Sequence, residues 1–251
     1  MPAADSAMKL RFMGLTDPGL VRSVNQDDFF IDPQGRFFVV ADGMGGHAGG
    51  EEASRIATQV IQSYLKENWD SDLESSALLV NAIDKANEQI LLDQEMHPER
   101  ADMGTTTVAV MFRQGKFWFG HIGDSRLYRW RDSQLEQITD DHTWVARALK
   151  AGDINAEQAR MHPWRHVLSQ CLGRKDIQEI EVQGLDFRLG DRLLLCSDGL
   201  TEELADDEIA PILNQDSKSC GEVADDLIEA AKNNGGSDNI TVVLVASEKE
   251  V

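Results

Sequence analysis

Four short acidic segments of the chain contain the residues that could do chemistry. They are VVADGMGGH at 39–47, GDSR at 123–126, LLCSDGL at 194–200 and GGSDNIT at 235–241. A single Asp-Gly pair is typical of a turn, because aspartate caps the turn and glycine supplies a positive φ. Asp42, however, follows the apolar run FFVVA and Asp198 follows LLLCS, so each carboxylate is expected where a buried strand leaves its sheet. Two such strand ends can face each other across packed layers and form a pocket for a hard cation.

The ligand types in these segments favour Mg²⁺ or Mn²⁺ over structural zinc. Carboxylate oxygens dominate, and the sequence has neither a CxxC spacing nor an HExxH pair. Two such ions roughly 3.5–4 Å apart can lower the pKa of a shared water, which makes hydroxide available near neutral pH. A phosphate ester is a natural substrate for that nucleophile, and Arg22 in VRSVNQDD could grip two phosphate oxygens. Arg22 taken alone also fits an ordinary surface arginine.

The first half of the chain contains strands and then helices that could position these residues. Apolar patterning predicts, in order, strand 8–16, strand 27–41 with a turn at 32–35, helix 53–65 and helix 71–94. Ser71 is the predicted N-cap of the second helix. Short strands follow between 105 and 138, with turns at 114–115 and 132–133, a succession typical of an antiparallel meander.

The second half returns to the same two kinds of element. Residues 143–175 form weak helical pieces punctuated by glycine and proline, and we predict a mobile flap there. Beyond the flap, the patterns predict strands over 179–187 and 191–199, a helix over 217–233 and a strand over 239–247. Strands and helices are segregated rather than alternating. We therefore predict an α+β fold with antiparallel sheets covered by helices, as a single domain over 1–251.

Composition excludes several classes of function. The 251 residues include 24 Lys and Arg against 44 Asp and Glu, a formal charge of −20 that disfavours nucleic-acid binding. The apolar runs are too short for membrane insertion, and no secretory signal is readable at the N-terminus. Three cysteines without a metal or disulfide spacing favour a reducing compartment, and we predict a cytoplasmic location.

Six motifs in order carry a family resemblance. RSVNQD at 22–27, ADGMGGHAGGEEAS at 41–54, MGTT at 103–106, GDSR at 123–126, LLLCSDGL at 193–200 and GGSDNITVV at 235–243 span nearly the whole chain. Together they resemble the motif series of the metal-dependent PPM/PP2C serine/threonine phosphatases, in particular the compact bacterial branch. The resemblance implies a β-sandwich of two antiparallel sheets flanked by pairs of helices, with two metal ions in a cleft at one end.

The resemblance also implies the roles of individual residues. Asp42 would bridge both metals, the Gly43 carbonyl would bind one of them, and Asp198 and Asp238 would complete the ligand set. Asp27 matches an acid that holds metal-bound water without binding the metal itself.

Two further positions complete the implied site. Arg22 matches the phosphate-binding arginine, and Asp124 matches the ligand of a third, weaker metal that Asp198 could share. Many eukaryotic members have a histidine general acid where this chain has Met44. A metal-bound water is our hypothesis for the acid here, and His47 is the competing candidate. The remaining histidines are expected to have structural or surface roles.

The sequence thus predicts hydrolysis of phosphoserine and phosphothreonine by in-line attack of a metal-bridging hydroxide. No phosphoenzyme is expected. By resemblance, the partners would be phosphorylated proteins, in particular a Hanks-type kinase and its targets. A catalytically inactive scaffold on the same fold and a loose Ca²⁺-binding acidic protein are the alternatives. An inactive scaffold is less consistent with the sequence, because all the matched aspartates are present. A Ca²⁺-binding protein is also less consistent, because the sequence has no DxDxDG loop.

Overall fold

Two antiparallel β-sheets form the centre of the molecule. The computed structural model describes residues 8–46, 49–177, 180–215 and 217–249. In chain order the strands are β1 (Met8–Asp17), β2 (Asp27–Ile31), β3 (Phe37–Met44), β4 (Gly104–Thr105), β5 (Thr107–Arg113), β6 (Lys116–Ile122), β7 (Arg126–Arg131), β8 (Gln134–Gln137), β9 (Val182–Leu185), β10 (Arg192–Cys196) and β11 (Ile240–Lys249). The first sheet has the order β1-β11-β10-β7-β8. The second has the order β2-β3-β5-β6-β9, with β4 paired to β3.

The helices of the described residues include two pairs that cover the outer faces of the sheets. In chain order they are α1 (Gly49–Glu67), α2 (Ser75–Met96), α3 (Trp144–Ala151), α4 (Ala156–Met161), α5 (Asp198–Thr201), α6 (Asp206–Leu213) and α7 (Cys220–Asn234), with a short 3₁₀ helix at Pro98–Arg100. Side chains of α1 and α2 share one core with the second sheet, and those of α6 and α7 share another with the first. This arrangement confirms the predicted α+β sandwich flanked by pairs of helices.

Strand β3 shows how the sequence builds these layers. Phe37, Val39 and Ala41 belong to the core beneath α1 and α2, whereas Phe38 and Val40 belong to the core between the two sheets. Strands β10 and β11 divide their side chains between two cores in the same way. Both faces of these strands are therefore buried, which is why their sequences are continuous apolar runs rather than alternating ones.

The predicted meander between 105 and 138 is wrong in one respect. The turns at 114–115 and 132–133 are present, with positive φ at Gln114, Asp132 and Ser133. However, β5 and β6 pair within the second sheet, whereas β7 and β8 pair within the first. The chain therefore changes sheets between Ile122 and Arg126. A local turn signal indicates that a strand ends, but it does not indicate which sheet the next strand joins.

The beginnings of two helices also differ from the prediction. The second helix begins at Ser75 rather than Ser71, and the Ser71 hydroxyl instead donates a hydrogen bond to the Asn68 carbonyl oxygen at 2.6 Å. Ser71 thus stabilises the turn that follows α1. The last helix begins at Cys220 rather than 217, because Ser219 caps it by accepting a hydrogen bond from the Glu222 amide.

The remaining segments were predicted less completely. Helix α6 was not predicted, and Pro211 within it interrupts the helical sequence signal. The predicted strand 179–187 is shorter, as β9, and its first residue lies outside the described residues. Helices α3 and α4 lie within 143–175, but the mobility of this flap and the single-domain organisation stay predictions. No helix in the described ranges is long and apolar enough to cross a membrane.

Candidate active site

Asp42 lies near the end of β3, where the apolar run of the second sheet ends. Its backbone N–H donates to the Thr106 hydroxyl at 3.0 Å. Its carbonyl oxygen accepts from the Thr106 amide and the Thr105 hydroxyl, each at 2.8 Å. The threonines of the MGTT motif therefore fix the backbone of Asp42 and leave its carboxyl free to point toward the opposite sheet.

Asp27 lies beside Asp42 because the two residues are partners in the β2–β3 register. Its side chain is buried, and its Oδ2 atom accepts hydrogen bonds from the hydroxyls of Ser197 and Thr241, each at 2.7 Å. Its Oδ1 atom is buried and has no hydrogen-bond partner among the described residues. Burial raises the pKa of Asp27 to about 7, although the two hydroxyls oppose this effect.

Asp198 reaches the same place from the first sheet. It follows β10 and Ser197 directly and is the first residue of α5. Its carboxyl group is hydrogen-bonded to that of Asp42. Burial raises the pKa of both carboxyl groups, and the neighbouring negative charges add to the increase. Carboxylates from the two sheets thus meet across the edge of the sandwich, as the strand ends predict.

Asp238 approaches through the loop before β11, together with Arg22. The Arg22 guanidinium donates to Asp238 Oδ2 at 2.7 Å, and both side chains are partly exposed. The next residue, Asn239, is buried and accepts a hydrogen bond from the Gln26 amide at 2.7 Å. Asn239 therefore joins the loop that contains Asp238 to the segment that contains Arg22.

Asp124 lies in the segment where the chain crosses between the sheets. Burial raises the pKa of its carboxyl well above the usual range, and the charge of Asp198 adds to this effect. His142 fixes the preceding residue, because its Nδ1 atom accepts from the Gly123 amide at 3.1 Å and its own amide donates to the Gly123 carbonyl at 2.9 Å. His142, which had no predicted role beyond a structural one, thus orients the Asp124 turn.

Gly43 is required by the close approach of three backbone segments. A Cβ atom at this position would overlap the carbonyl oxygen of Gly50 and would lie 2.5 Å from that of Gln26. The Gly43 amide also donates to the Gln26 carbonyl at 3.1 Å. The glycine therefore allows the end of β3 to lie directly against the beginning of α1 and the beginning of β2.

Two site residues were missed because nothing in the local sequence indicates them. His166, in the predicted flap, pairs through Nδ1 with Glu202, which follows α5. A ring nitrogen of His166 and a carboxyl oxygen of Glu202 each lie within 4.8 Å of a carboxyl oxygen of Asp198. Burial and the negative charge of Asp198 raise the pKa of Glu202 to about 8. His166 was expected to be an ordinary structural or surface residue, and only the three-dimensional path of the flap places it here.

Met44 occupies the position at which many eukaryotic family members have a histidine general acid. Met44 is half-buried at the end of β3, and its thioether has no proton to donate. The competing candidate, His47, lies outside the described residues. His47 as the competing general acid therefore stays a prediction.

The donor set fits divalent metal ions. Four carboxyl groups with raised pKa values converge from both sheets, and one of their oxygens, Oδ1 of Asp27, is buried without a partner. Such a cluster of like charges is costly unless cations neutralise it. Oxygen donors without cysteine suit Mg²⁺ or Mn²⁺.

Removing divalent metal should make the stability of the protein depend on pH. The folded-state pKa of Asp27 is about 7, above its usual 3.8. The contribution of this carboxyl group to the stability of the folded protein is therefore fully present below about pH 3.8 and is lost as the pH rises through about 7. We therefore expect the chelated protein to melt roughly 5–10 °C lower at pH 8 than at pH 5.5. Differential scanning calorimetry with EDTA or with Mn²⁺ checks this, and Mn²⁺ should raise the melting temperature more at pH 8.

The variant Asp27→Asn is the control for this experiment, because it removes the titrating group and keeps the shape of the side chain. Its melting temperature under EDTA should vary less with pH than that of the parent. Equal melting temperatures for the parent at both pH values, with EDTA and with Mn²⁺, would contradict this interpretation of the carboxyl cluster.

Comparison with known proteins agrees with this geometry. The family model for protein phosphatase 2C matches residues 21–235. The serine/threonine protein phosphatase PstP of Mycobacterium tuberculosis is 38% identical over 235 residues, which cover 94% of this chain and 44% of PstP. The serine/threonine phosphatase stp of Listeria welshimeri is 37% identical over 235 residues, which cover 92% of this chain and 93% of the Listeria protein. The chain belongs to the protein phosphatase 2C family.

A solved structure extends the likeness to the whole fold. The catalytic domain of PstP in complex with two manganese ions superimposes with a TM-score of 0.84 at 36% identity, covering 96% of this chain and all of that one (100%). The present chain thus spans less than half the length of full-length PstP but matches its catalytic domain from end to end.

Proposed function

We propose that this chain is a metal-dependent protein phosphatase that hydrolyses phosphoserine and phosphothreonine. The observation that carries the proposal is the convergence of Asp27, Asp42 and Asp198 from both sheets, with Asp238 held beside Arg22. Membership of the protein phosphatase 2C family and the manganese ions described for PstP support it.

The residue roles implied by the sequence are proposed for this site. Asp42 would bridge two metal ions, Asp198 and Asp238 would complete their carboxylate ligands, and the Gly43 carbonyl would add a neutral one. Asp124 would hold a third, weaker ion together with Asp198. Mn²⁺ and Mg²⁺ both suit these oxygen donors, and the manganese in PstP favours Mn²⁺.

When bound, the divalent ions would supply the acidity that activates the attacking water and part of the positive charge that phosphoryl transfer needs. The residues of the chain do the rest. Asp27, fixed by Ser197 and Thr241, presents its free Oδ1 atom as a hydrogen-bond acceptor that can orient the attacking water for in-line displacement. Arg22 can bind two phosphoryl oxygens at once. Met44 cannot protonate the leaving alkoxide, so water in the site is the proposed source of this proton, and His47 stays the competing candidate.

The test is release of inorganic phosphate from a phosphothreonine peptide. We expect turnover with Mn²⁺ and none after chelation by EDTA, with recovery when Mn²⁺ is restored. Peptide binding without turnover would instead indicate a scaffold, and Ca²⁺ binding without peptide binding would indicate an acidic structural protein.

Replacing Arg22 with alanine should act mainly on substrate binding. The Arg22 side chain is 55% exposed and its guanidinium pairs with Asp238, so it is available to a substrate phosphate without being buried in the fold. We expect KM for a phosphothreonine peptide to rise about tenfold with a smaller change in kcat, as measured by steady-state kinetics.

Arg11 provides a matched control for Arg22. It is also about half exposed, at 56%, and also pairs with an acid, Glu248. Arg11→Ala should leave both kinetic constants within twofold. A large fall in kcat for Arg22→Ala with KM unchanged would contradict a substrate-gripping role.

The partners we propose are phosphorylated proteins, among them a Hanks-type serine/threonine kinase and its targets. The PP2C family membership supports this choice, and the net charge of −20 is unfavourable for a nucleic-acid substrate. A cytoplasmic location, favoured by the cysteine pattern, is proposed on the same basis.

A further inference from the structure

We propose that an apolar rim, defined as Leu20, Val21 and Val24, binds an apolar side chain that lies next to the phosphorylated residue of the substrate. The relative exposures of these three side chains are 63%, 71% and 45%. Single exposed apolar residues are common, but three within five positions of one loop are a concentration that burial in the fold does not explain. The inference rests on the proposed phosphatase function and names a feature of its substrate.

The loop that contains the apolar rim is held in place by hydrogen bonds. The Leu20 amide donates to the Gly236 carbonyl at 2.7 Å. The buried Asn239 side chain donates to the carbonyl oxygens of Pro18 and Val24 at 3.1 and 3.0 Å. Both ends of the loop are thus tied to the segment that contains Asp238. The apolar side chains are therefore presented to solvent by a backbone that is hydrogen-bonded at Pro18, Leu20 and Val24.

The position of the loop determines what can cover the apolar rim. Arg22 lies between Val21 and Val24 in the sequence, and its guanidinium contacts Asp238 at 2.7 Å. A phosphoryl group held by Arg22 would therefore bring the neighbouring residues of its own polypeptide against this loop. The apolar rim lies on the same loop as Arg22, so the substrate polypeptide is the occupant we assign to it.

The negative charge of the protein also determines which substrate residues can bind to the apolar rim. Lys232 beside the loop is already paired with Asp17 and Glu229, and the acidic Glu203 contacts Ser237 in the segment that contains Asp238. The whole chain has a formal charge of −20. An acidic residue beside the phosphorylated one would be repelled, whereas an apolar residue would gain burial against the rim. The preferred substrate is therefore a phosphopeptide with leucine-like rather than acidic neighbours.

The experiment uses three phosphothreonine peptides that differ only in the residues on either side of the phosphothreonine: leucine, glycine or aspartate. With the parent protein and Mn²⁺, we expect kcat/KM for the leucine peptide to exceed that for the glycine peptide about tenfold, mainly through KM. The aspartate peptide should be the poorest substrate. In the double variant Leu20→Ser/Val21→Ser, the leucine-to-glycine ratio should fall to about one, with the glycine peptide hydrolysed within twofold of the parent rate.

Met96→Ser is the matched control, because Met96 is 70% exposed at the end of α2 and lies outside the loop. It should keep the parental preference for leucine. Thermal melting of each variant shows that the substitutions leave the fold intact, which is expected for exposed side chains.

A binding measurement separates this inference from the proposed function. Fluorescence anisotropy of labelled peptides reports the Kd without turnover, so it applies even if no peptide is hydrolysed. Tighter binding of the leucine peptide that the double variant abolishes supports the apolar rim. Equal Kd values for the leucine and glycine peptides overturn it. Self-association in sedimentation velocity that Leu20→Ser abolishes also overturns it, because the occupant would then be a second copy of the chain.

Discussion

Replacing Asp42 with asparagine is expected to lower kcat for a phosphothreonine peptide by about 10³ or more. The Asp42 carboxyl lies where strand ends of the two sheets meet, and it is hydrogen-bonded to Asp198. Asparagine keeps the shape but removes the charge and one of the two carboxylate oxygens. If Asp42 bridges two cations as proposed, it would use its charge and both oxygens to do so, and we therefore expect Mn²⁺ affinity and turnover to be lost together.

The fold of this variant should survive, which makes the result easy to interpret. Burial and the surrounding negative charges raise the pKa of Asp42, so a neutral side chain relieves repulsion in the metal-free protein. The metal-free variant should therefore melt no lower than the metal-free parent. Steady-state kinetics, calorimetric Mn²⁺ titration and thermal melting together check the prediction.

Asp72 offers a control substitution of the same chemical type. It is an exposed aspartate between α1 and α2. Asp72→Asn should leave kcat and Mn²⁺ affinity unchanged. If Asp42→Asn kept a tenth or more of the parental kcat, Asp42 would not be the central ligand and the proposed site would be wrong.

The second large effect is expected from Gly43→Ala, through packing rather than charge. A methyl group at this position would overlap the Gly50 carbonyl and crowd that of Gln26, so the beginning of α1 and the end of β3 must separate. Overpacking of this kind costs about 1–3 kcal/mol. Because Asp42 is the preceding residue, its carboxyl would also move, and we expect kcat to fall about 100-fold.

Urea denaturation and steady-state kinetics check both parts of this prediction. Gly184→Ala in β9 is the control, because a Cβ atom there meets nothing within 4 Å. It should change the free energy of unfolding by less than about 0.5 kcal/mol. A Gly43→Ala protein with parental stability and activity would show that the backbone approach at this position is not required.

The fold could be predicted from the sequence wherever a buried strand has two covered faces. The continuous apolar run of β3 and the acid that follows it predicted both the strand and the emergence of Asp42. The change of sheet after Ile122 could not be predicted, because hairpin turns and sheet-crossing turns use the same residue types. Ser71 was misassigned for a related reason, since serine stabilises turns as well as helix starts.

The sequence predicted those site residues that lie in recognisable motifs. Asp42 and Asp198 meet as expected from their positions after apolar strands, and the charges of Asp124 and Asp238, which only the family resemblance assigned to the site, act on the same carboxyl groups. His166 and Glu202 could not be found, because their proximity depends on how the chain between α4 and β9 folds back over α5. Long-range contacts of this kind leave no local periodicity in the sequence.

The hydrogen bonds from Ser197 and Thr241 to Asp27 have a consequence for the mechanics of the sandwich. The hydroxyls belong to one layer and the carboxylate to the other, at 2.7 Å. A sliding displacement of one layer by the width of a single atom would break these contacts while leaving every strand ladder intact. The alignment of the two sheets, maintained by the side chains of the core between them, therefore determines how precisely the residues of the proposed active site are positioned.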